Sequence, residues 1–304
     1  MKQKGKTKIN SSRLKLTMLF IPFLIYIIAF KYVPILGWGF SLIRYKVGLQ
    51  FWQCEFVGLY NFKLIFQNWD KLVDVLINTF ALSGLGILFS PAPLIFAIFL
   101  SEIKSLKFKK LVQTLTTIPH FVSWIIMYSL AFALFSTEGV MNTVLTDLGL
   151  IERPVNTLAN ADIVWIFQAL LGVWKGLGWN AIIYFAAISG IDSELYEAAS
   201  IDGAGRFQKI LYITLPGLSS TFFTLLLLQI SNFLSSGLDQ YLAFYNSVVA
   251  DKIMVLDLYT YKLGFTSGEY SYSTAVGIMK TFVSLVLLFS ANSASKKIRG
   301  QSMF

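Results

Sequence analysis

The residues that could carry chemistry in this 304-residue chain are polar and aromatic groups set inside long apolar stretches. A lysine in the middle of an apolar span costs about 2.5–3.5 kcal/mol to insert, so it should face protein or water. Indole rings offer flat apolar faces, and amides both donate and accept hydrogen bonds, so such a set suits the binding of sugars. Six residues of this kind are candidates to line a substrate pathway through the membrane: Trp174, Lys175, Trp179, Asn180, Gln229 and Asn232.

The same polar groups have a second interpretation, which is helix packing. A buried lysine can be paired across a helix bundle, and amides hold membrane helices together with about 0.6–2 kcal/mol each. Asp239, Gln240 and Tyr241 follow near the outer end of the stretch that carries Gln229. The sequence leaves binding and packing open for all of them.

Catalytic and metal-binding patterns are absent from the sequence. The single cysteine, Cys54, excludes an internal disulfide, and the single histidine, His120, has no cysteine or second histidine as a co-ligand. No P-loop, GxSxG or HExxH pattern occurs. We therefore predict no catalytic residues, no metal site and no enzyme in this chain, with His120 as an interfacial or packing residue.

The composition is that of a membrane protein. Only 13% of the residues are charged and 56% are hydrophobic, whereas soluble domains usually carry about a quarter charged residues. The net charge of +9 could suggest nucleic acid. Lysines and arginines, however, cluster beside the apolar stretches, as the positive-inside rule for membrane proteins predicts. The predicted partner is the bilayer and not nucleic acid.

Six stretches are long and apolar enough to cross a bilayer, which needs about 20 such residues. The first follows a basic arm but is long, contains Pro22, Lys31 and Pro34, and lacks a cleavage site, so we interpret it as a retained helix and not a signal peptide. The fold class is therefore an all-α membrane protein with six transmembrane helices, at about 14–37, 75–100, 111–135, 163–190, 217–236 and 273–295.

Lysine and arginine placement predicts the orientation. Fifteen lie on one side, namely six in the basic stretch from Lys2 to Lys15, four in the loop 101–110, two in 191–216 and three in the tail. The opposite loops hold seven. Because cytoplasmic loops carry the excess, both termini and the 191–216 loop should be cytoplasmic. The predicted division is a basic arm at 1–13, a transmembrane domain at 14–295 and a cytoplasmic tail at 296–304.

Prolines predict breaks in two of the helices. Pro91 and Pro93 each remove a backbone donor in the second helix, and Pro119 does so near the start of the third. Breaks are tolerated where protein or a water-filled cavity covers the freed carbonyls. A gating role and the general frequency of proline in membrane helices explain them equally well.

Residues 191–216 form what we call the elbow, a polar stretch between the fourth and fifth apolar spans. Asp192 or Ser193 can cap a helix that carries Glu194 in its first turn. Gly203 and Gly205 are expected to end that helix in a turn, because glycine takes positive φ without strain. A second segment then runs into Pro216 and the next apolar stretch.

The elbow resembles the signature cytoplasmic loop of bacterial ABC importer permeases. The pattern is Glu-Ala-Ala, three residues, Gly, nine residues, Ile, one residue and Leu-Pro, and every fixed position is matched, by Glu197, Ala198, Ala199, Gly203, Ile213, Leu215 and Pro216. The stretches FKKLVQTLTTIPHFVSW, WKGLGWNAIIYFAAISGID and YSYSTAVGIMK extend the resemblance over about residues 20 to 297, toward the carbohydrate-uptake subfamily for complex oligosaccharides.

The resemblance implies a translocation-pore subunit of the type I ABC importer kind, which works by alternating access in the bacterial cytoplasmic membrane. It implies a second homologous permease as heterodimer partner, two ATP-binding subunits, an extracellular solute-binding lipoprotein and an oligosaccharide substrate. No cofactor is expected in this chain, since ATP and Mg²⁺ would be bound by the partner ATPase. The implied ATPase-coupling residues are Glu194, Glu197, Ala198, Ala199, Asp202, Gly203, Ile213, Leu215 and Pro216.

Three alternatives stand beside this interpretation. The chain could be an ABC importer permease for a solute other than sugar. An ion-coupled secondary transporter would need a coupling-ion site, for which membrane acids are scarce here, and it would have no use for the elbow. A structural or receptor-like membrane protein would not need polar, broken helices in the membrane.

Overall fold

The computed structural model describes residues 11–299, which are mostly helical. A single small antiparallel hairpin lies in this part of the chain, with β1 (Ile43–Arg44) paired to β2 (Glu55–Phe56). The helices are α1 (Ser11–Ile27), α2 (Tyr60–Gln67), α3 (Trp69–Leu88), α4 (Ala92–Ser101), α5 (Leu106–Phe121), α6 (Trp124–Phe135), α7 (Val140–Asp147), α8 (Val164–Ser189), α9 (Ser193–Ile201), α10 (Arg206–Lys209), α11 (Leu215–Ser231), α12 (Leu238–Ala243), α13 (Ala250–Ile253), α14 (Leu256–Tyr261) and α15 (Tyr270–Arg299).

Wider and tighter turns join several of these helices. π-helical turns occupy Ile28–Tyr32, Ile210–Thr214 and Lys262–Thr266, and a 3-10 helix covers Val33–Leu42. The first two π turns lie directly before Pro34 and Pro216. A proline lacks the N–H for the usual bond and crowds the carbonyl four residues back, so a wider turn lets the helix continue.

Six segments are long and apolar enough to span a membrane, as the sequence predicts. They are Leu16–Leu42, Trp69–Ser101, Trp124–Asp147, Val164–Ser189, Arg206–Ser231 and Tyr270–Lys297. Residues 1–10 of the predicted arm and 300–304 of the predicted tail lie outside the described residues, while 11–13 and 296–299 belong to α1 and α15.

The third predicted span is wrong in its bounds. The stretch 111–135 is not one helix, because the backbone is extended at Val122 and Ser123 between α5 and α6. The Ser123 hydroxyl accepts a hydrogen bond from the Ile126 N–H at 3.4 Å and so starts a new helix. The membrane candidate is instead Trp124–Asp147, and α5, which carries Lys107 among other basic residues, precedes it.

The fifth predicted span is also wrong in its bounds. The helix begins within the elbow at Arg206 and ends at Ser231, not at residue 236. Beyond that point the Asn232 side chain donates to the Leu228 carbonyl at 3.0 Å, which competes with continued helix. Gln240 consequently lies in the separate short helix α12 and not at the outer end of the fifth span.

The predicted break in the second helix is confirmed. α3 ends at Leu88 and α4 begins at Ala92, so the turn between them includes Pro91. The missing donor of that proline explains why the ladder of backbone hydrogen bonds stops there. Pro119, in contrast, stays within α5, which ends two residues later at Phe121.

The described chain divides into two compact units. In the first, residues 11–67 and Leu263–Ile278, the side chain of Asn61 donates to the Ser41 carbonyl at 2.8 Å and the Ile43 carbonyl at 3.2 Å, which fixes α2 to the hairpin.

The second unit comprises Asn68–Lys262 and residues 279–299 and contains the spans around α8. It has two apolar cores. One joins α4, α8 and α11 through fully buried Ala97, Ala181 and Leu218. The other joins α12, α13 and α14 to α6 and α8, with Val249, Ile253 and Leu258 almost completely buried.

Within the second unit, α5 and α8 approach each other to backbone contact at Gly178. A Cβ atom at this position would lie 2.4 Å from the carbonyl carbon of Thr116 and 2.6 Å from the nitrogen of Thr117. Only glycine fits there, as in other close membrane helix pairs. This contact holds the end of α5 against the middle of α8.

We predict that Gly178→Ala separates α5 from α8 and destabilises the protein by about 1–3 kcal/mol, the usual cost of overpacking. The measurement is the thermal unfolding midpoint in detergent. Gly84→Ala is the matched control, since a Cβ there meets nothing within 4 Å and alanine favours helix. A Gly178→Ala midpoint equal to that of the control would contradict the close contact.

Candidate functional site

A cavity of about 450 Å³, lined by apolar residues and several uncharged polar ones, lies among the membrane helices of the second unit. The lining residues come from α3, the turn between α3 and α4, the start of α4, α8, α11, the segment after α11 and α12. The lining residues are Leu82, Ser83, Gly86, Phe89, Ser90, Pro93, Gln168, Ala169, Gly172, Val173, Asn180, Ile183, Tyr184, Phe222, Leu225, Leu226, Gln229, Asn232, Phe233, Ser235, Ser236, Gln240 and Tyr241.

Helix periodicity explains which side chains reach the cavity. On α11 the lining positions Phe222, Leu225, Leu226 and Gln229 recur at three- and four-residue spacing, which is one face of a helix. On the α3–α4 wall, the proline break itself contributes Phe89 to the lining. The walls therefore combine aromatic rings with polar groups at membrane depth.

Two side-chain amides in the lining are available to a ligand. Within residues 11–299, neither Asn180 nor Gln229 has a hydrogen-bond partner for its side chain. Glycines leave room for both amides, because a Cβ at Gly86 would lie 3.3 Å from Gln229 Nε2 and one at Gly176 would lie 3.1 Å from Asn180 Nδ2. Two of the residues predicted from the sequence are thus placed in one cavity with free hydrogen-bonding capacity.

Asn232 also lines the cavity, although its amide is partly committed. It donates to the Leu228 carbonyl at 3.0 Å and to the Ser231 hydroxyl at 3.5 Å. The residue lies where α11 ends, so its side-chain N–H bonds to a carbonyl of the last helical turn. The side-chain oxygen of Asn232 can still accept a hydrogen bond. Of the six candidate pathway residues, the cavity brings together Asn180, Gln229 and Asn232.

Lys175 lies in a different place. It is only 9% exposed, and its ammonium donates to the carbonyls of Pro119, His120 and Val122 at 3.0, 2.7 and 2.6 Å. These carbonyls are at the end of α5, where the helix stops, and within residues 11–299 only that of Pro119 among the three also accepts a backbone N–H, from Val122 at 3.2 Å. The lysine thus has the contacts of the packing interpretation, and it does not line the cavity.

The two tryptophans beside Lys175 also lie outside the cavity lining. Trp179 stacks on the ring of His120 at 4.5 Å with an angle of 2° between the planes. Trp174 is 47% exposed and Trp179 is 43% exposed. A contact of Trp174, Lys175 or Trp179 with a transported solute stays a prediction.

Of the lining residues, sequence reasoning named Gln240 and Tyr241 with binding or packing left open, and it missed Gln168 and Ser83. Gln240 Nε2 donates to the backbone carbonyl of Gln168 at 3.0 Å and to its side-chain oxygen at 2.8 Å, so two buried glutamines are joined at the cavity. Gln168 is a polar residue inside the fourth predicted span, and that is the signal that could have identified it. Ser83 and Ser90 of the α3–α4 wall carry no comparable signal, because single serines are ordinary in membrane helices.

The elbow has the predicted cap and turn. The Asp192 carboxylate accepts the Glu194 N–H at 2.9 Å and starts α9. At the other end, Gly203 has φ +77°, its N–H bonds to the Ser200 carbonyl at 3.2 Å, and the Ala204 N–H bonds to the Ala199 carbonyl at 2.8 Å. These two bonds with a left-handed glycine form a Schellman motif.

The expectation that Gly205 shares in this turn is wrong. Its φ is −71°, and it begins the next helix as the residue before α10, with its N–H donating to the Gln208 side chain at 2.7 Å. One glycine in the left-handed conformation is enough to close the Schellman motif, so the second is free to start a helix. The elbow is therefore a helix, a tight turn and a helix that continues into the fifth span.

Side-chain bonds tie the two arms of the elbow together and leave its outer surface open. The Tyr196 hydroxyl lies 2.9 Å from the Thr214 hydroxyl, and the Lys209 ammonium donates to the Ser200 hydroxyl. α9 has no buried residue, and Ile201 is 87% exposed. Of the predicted coupling residues, the exposed ones are Glu194, Glu197, Ala198, Asp202, Gly203, Leu215 and Pro216, and the half-buried ones are Ala199 and Ile213.

Comparison with known proteins identifies the class of this chain. Binding-protein-dependent transport system inner membrane components match residues 90–300. Protein LplB of Bacillus subtilis (strain 168) is 40% identical over 291 residues, which cover 95% of this chain and 91% of LplB. The chain belongs to this family of membrane components.

Two further relatives agree with this assignment. The polygalacturonan/rhamnogalacturonan transport system permease protein YteP of Bacillus subtilis (strain 168) is 36% identical, over 95% of this chain and 90% of YteP. A chain in the crystal structure of a bacterial alginate ABC transporter, in complex with an alginate pentasaccharide-bound periplasmic protein, superposes with a TM-score of 0.86. That chain is 30% identical, over 96% of this chain and 98% of its own length.

Family membership confirms the fold class and the location. With six membrane-spanning segments, the chain is a multi-pass protein of the cytoplasmic membrane and an ABC importer permease. The family consists of transport permease subunits and not of catalytic ones. Membership of this family argues against the two alternatives of an ion-coupled secondary transporter and a purely structural membrane protein.

Proposed function

We propose that this chain is the translocation-pore subunit of an ATP-driven, binding-protein-dependent importer of oligosaccharides. The observation that carries the proposal is the cavity, which places unpartnered amides and aromatic rings at membrane depth. The related permeases named for polygalacturonan and rhamnogalacturonan transport and for alginate transport support a saccharide as the substrate. A solute other than a sugar is the alternative against which the proposal is tested.

The chemistry of the lining suits a sugar that must be bound and then released. The Asn180 and Gln229 amides can each donate to and accept from hydroxyl groups. The rings of Phe89, Phe222 and Phe233 offer flat apolar surfaces to the C–H faces of a pyranose. Few contacts of modest strength are what a conduit needs, because tight binding would stop transport.

The partners follow from the same proposal. The exposed surface of the elbow is the docking face for an ATPase subunit, which would hold ATP and Mg²⁺, so that this chain needs no cofactor. A second homologous permease completes the pore, two such ATPases bind beneath the elbows, and an extracellular solute-binding lipoprotein delivers the sugar. The related alginate transporter, which was crystallised with its periplasmic protein, supports the last of these partners.

Closure of the ATPases would move the elbow and, through it, the fifth span. The elbow is suited to this because α10 continues through the π turn Ile210–Thr214 into α11, which carries Gln229. A rigid displacement of the elbow would therefore reach the cavity wall without a flexible joint. Alternating access by this route would open the cavity to one side of the membrane at a time.

The transport role predicts that Gln229→Ala lowers oligosaccharide uptake by the reconstituted complex about five- to tenfold, since it removes hydrogen bonds worth roughly 1 kcal/mol or more. Basal ATP hydrolysis and assembly should stay near wild type. Thr224→Ala is the matched control on the same helix, because Thr224 bonds to the Ser220 carbonyl and does not line the cavity. Equal uptake in both variants would contradict the proposed pathway.

The coupling role predicts different outcomes for two substitutions of Gly203. Its φ of +77° costs alanine about 1–2 kcal/mol, whereas asparagine tolerates this conformation. Gly203→Ala should reduce substrate-stimulated ATP hydrolysis and co-purification of the ATPase, and Gly203→Asn should retain more of both. Glu197→Ala should weaken the same contact by removing an exposed charge. Wild-type coupling in all three variants would count against the elbow as the docking element.

The proposed orientation places both termini and the elbow in the cytoplasm, on the basis of the fifteen-to-seven charge bias. Single cysteines introduced at 105 and 195 in a Cys54→Ser background should be protected from membrane-impermeant thiol reagents in intact cells. Cysteines at 145 and 255 should be labelled. Labelling at 195 in intact cells would reverse the topology and remove the elbow from the ATPase side.

A further inference from the structure

The polar lining of the cavity consists of neutral groups. Amides come from Gln168, Asn180, Gln229, Asn232 and Gln240, and hydroxyls come from Ser83, Ser90, Tyr184, Ser235, Ser236 and Tyr241. Among the described residues that line the cavity, none carries a formal charge. Every polar contact that this chain offers inside the cavity is therefore an uncharged hydrogen bond.

Lysines do occur deep within spanning helices of the second unit, but they are committed elsewhere. The Lys175 ammonium is held by three carbonyls at the end of α5 and lies over the Trp124 ring at 5.3 Å. The Lys280 ammonium donates to the Asp257 carboxylate in a mostly buried ion pair. Moving Lys175 into the cavity would take the donor from the His120 and Val122 carbonyls, and moving Lys280 would leave a buried carboxylate without its partner. Either change is costly.

A carboxylate on the solute would therefore meet no countercharge from this chain. Taking an ionised carboxylate out of water costs several kcal/mol unless a cation or several strong donors replace the water. A sugar hydroxyl loses much less, because amides and hydroxyls replace its hydrogen bonds to water one for one. The chemistry of the lining thus separates neutral sugars from uronates.

We infer that this cavity selects uncharged oligosaccharides over oligouronates of the same length and linkage, with Asn180 and Gln229 as specificity-determining residues. This inference rests on the proposed function of oligosaccharide import. It also sets the chain apart from relatives named for the transport of acidic glycans, one of them an importer of the acidic polysaccharide alginate. Two transporters of the same fold can differ in the charge of the substrate they accept, because a few side chains in the cavity determine that preference.

The test uses the assembled importer in proteoliposomes with two matched pairs of probes. One pair is α-1,4-galactotriose and α-1,4-trigalacturonate, and the other is β-1,4-mannotriose and β-1,4-trimannuronate. Uptake driven by ATP is measured for each probe, at saturating concentration of the binding protein. We expect the neutral member of a pair to be taken up on the order of tenfold faster, which corresponds to about 1.4 kcal/mol.

Charge-introducing variants assign the preference to the cavity and not to the binding protein. Gln229→Lys adds a cation to the lining, and Gln229→Met is the matched variant of similar length without charge. Because a charge-assisted bond is about twice as strong as a neutral one, Gln229→Lys should shift the ratio of uronate to neutral uptake roughly tenfold toward the uronate. Gln229→Met should leave the ratio near wild type. The pair Asn180→Lys and Asn180→Met repeats the test on α8, in case the α11 variants do not assemble.

Each outcome has a separate meaning. A wild-type preference for neutral probes, shifted by the lysine variants and not by the methionine variants, supports the inference. Uptake of the uronate at a rate equal to or above that of the neutral probe overturns the inference but not the proposed import of saccharides. A preference for neutral probes that neither lysine variant alters has the same meaning. Failure to take up any saccharide, neutral or acidic, overturns the proposed function itself and the inference with it.

Discussion

Unpaired backbone carbonyls in the membrane are the constraint on which this structure depends. Lipid offers them no donor, so each interruption of a helix must be covered by protein or by a polar cavity. At the break between α5 and α6, the Lys175 ammonium donates to three carbonyls. Nearby, Gly178 lets the backbone of α8 touch that of α5. The energetic cost of burying a lysine is offset there by bonds that the broken helix needs in any case.

Two further interruptions border the cavity. The proline turn between α3 and α4 contributes Phe89 and Ser90 to its lining, and the end of α11 contributes Asn232 and Phe233. Where the helices stop, polar backbone and side-chain groups face a space that water can fill. The breaks thus create a polar interior in a chain that is 56% hydrophobic, without placing a charge in it.

The elbow solves the opposite problem, since it must keep a defined shape while almost fully exposed. It does so with local bonds: an Asp192 cap, a Schellman turn at Gly203 and the tie between Tyr196 and Thr214. None of these needs a buried core. Because α10 runs through a π turn into α11, the elbow and a wall of the cavity share one continuous helix.

Sequence alone determined the features that local chemistry sets: six apolar spans, the break at Pro91, a helix cap at Asp192 or Ser193 and the spacing of the elbow residues. Tertiary structure decided which polar groups share a cavity. Lys175 and Asn180 are five residues apart, which places them about 140° apart around α8, so one faces α5 and the other faces the cavity. The sequence shows that angle but not which neighbour lies on each side, because helix packing sets the neighbours. For the same reason, the bond between Gln168 and Gln240, which joins residues 72 positions apart, was visible only in the fold.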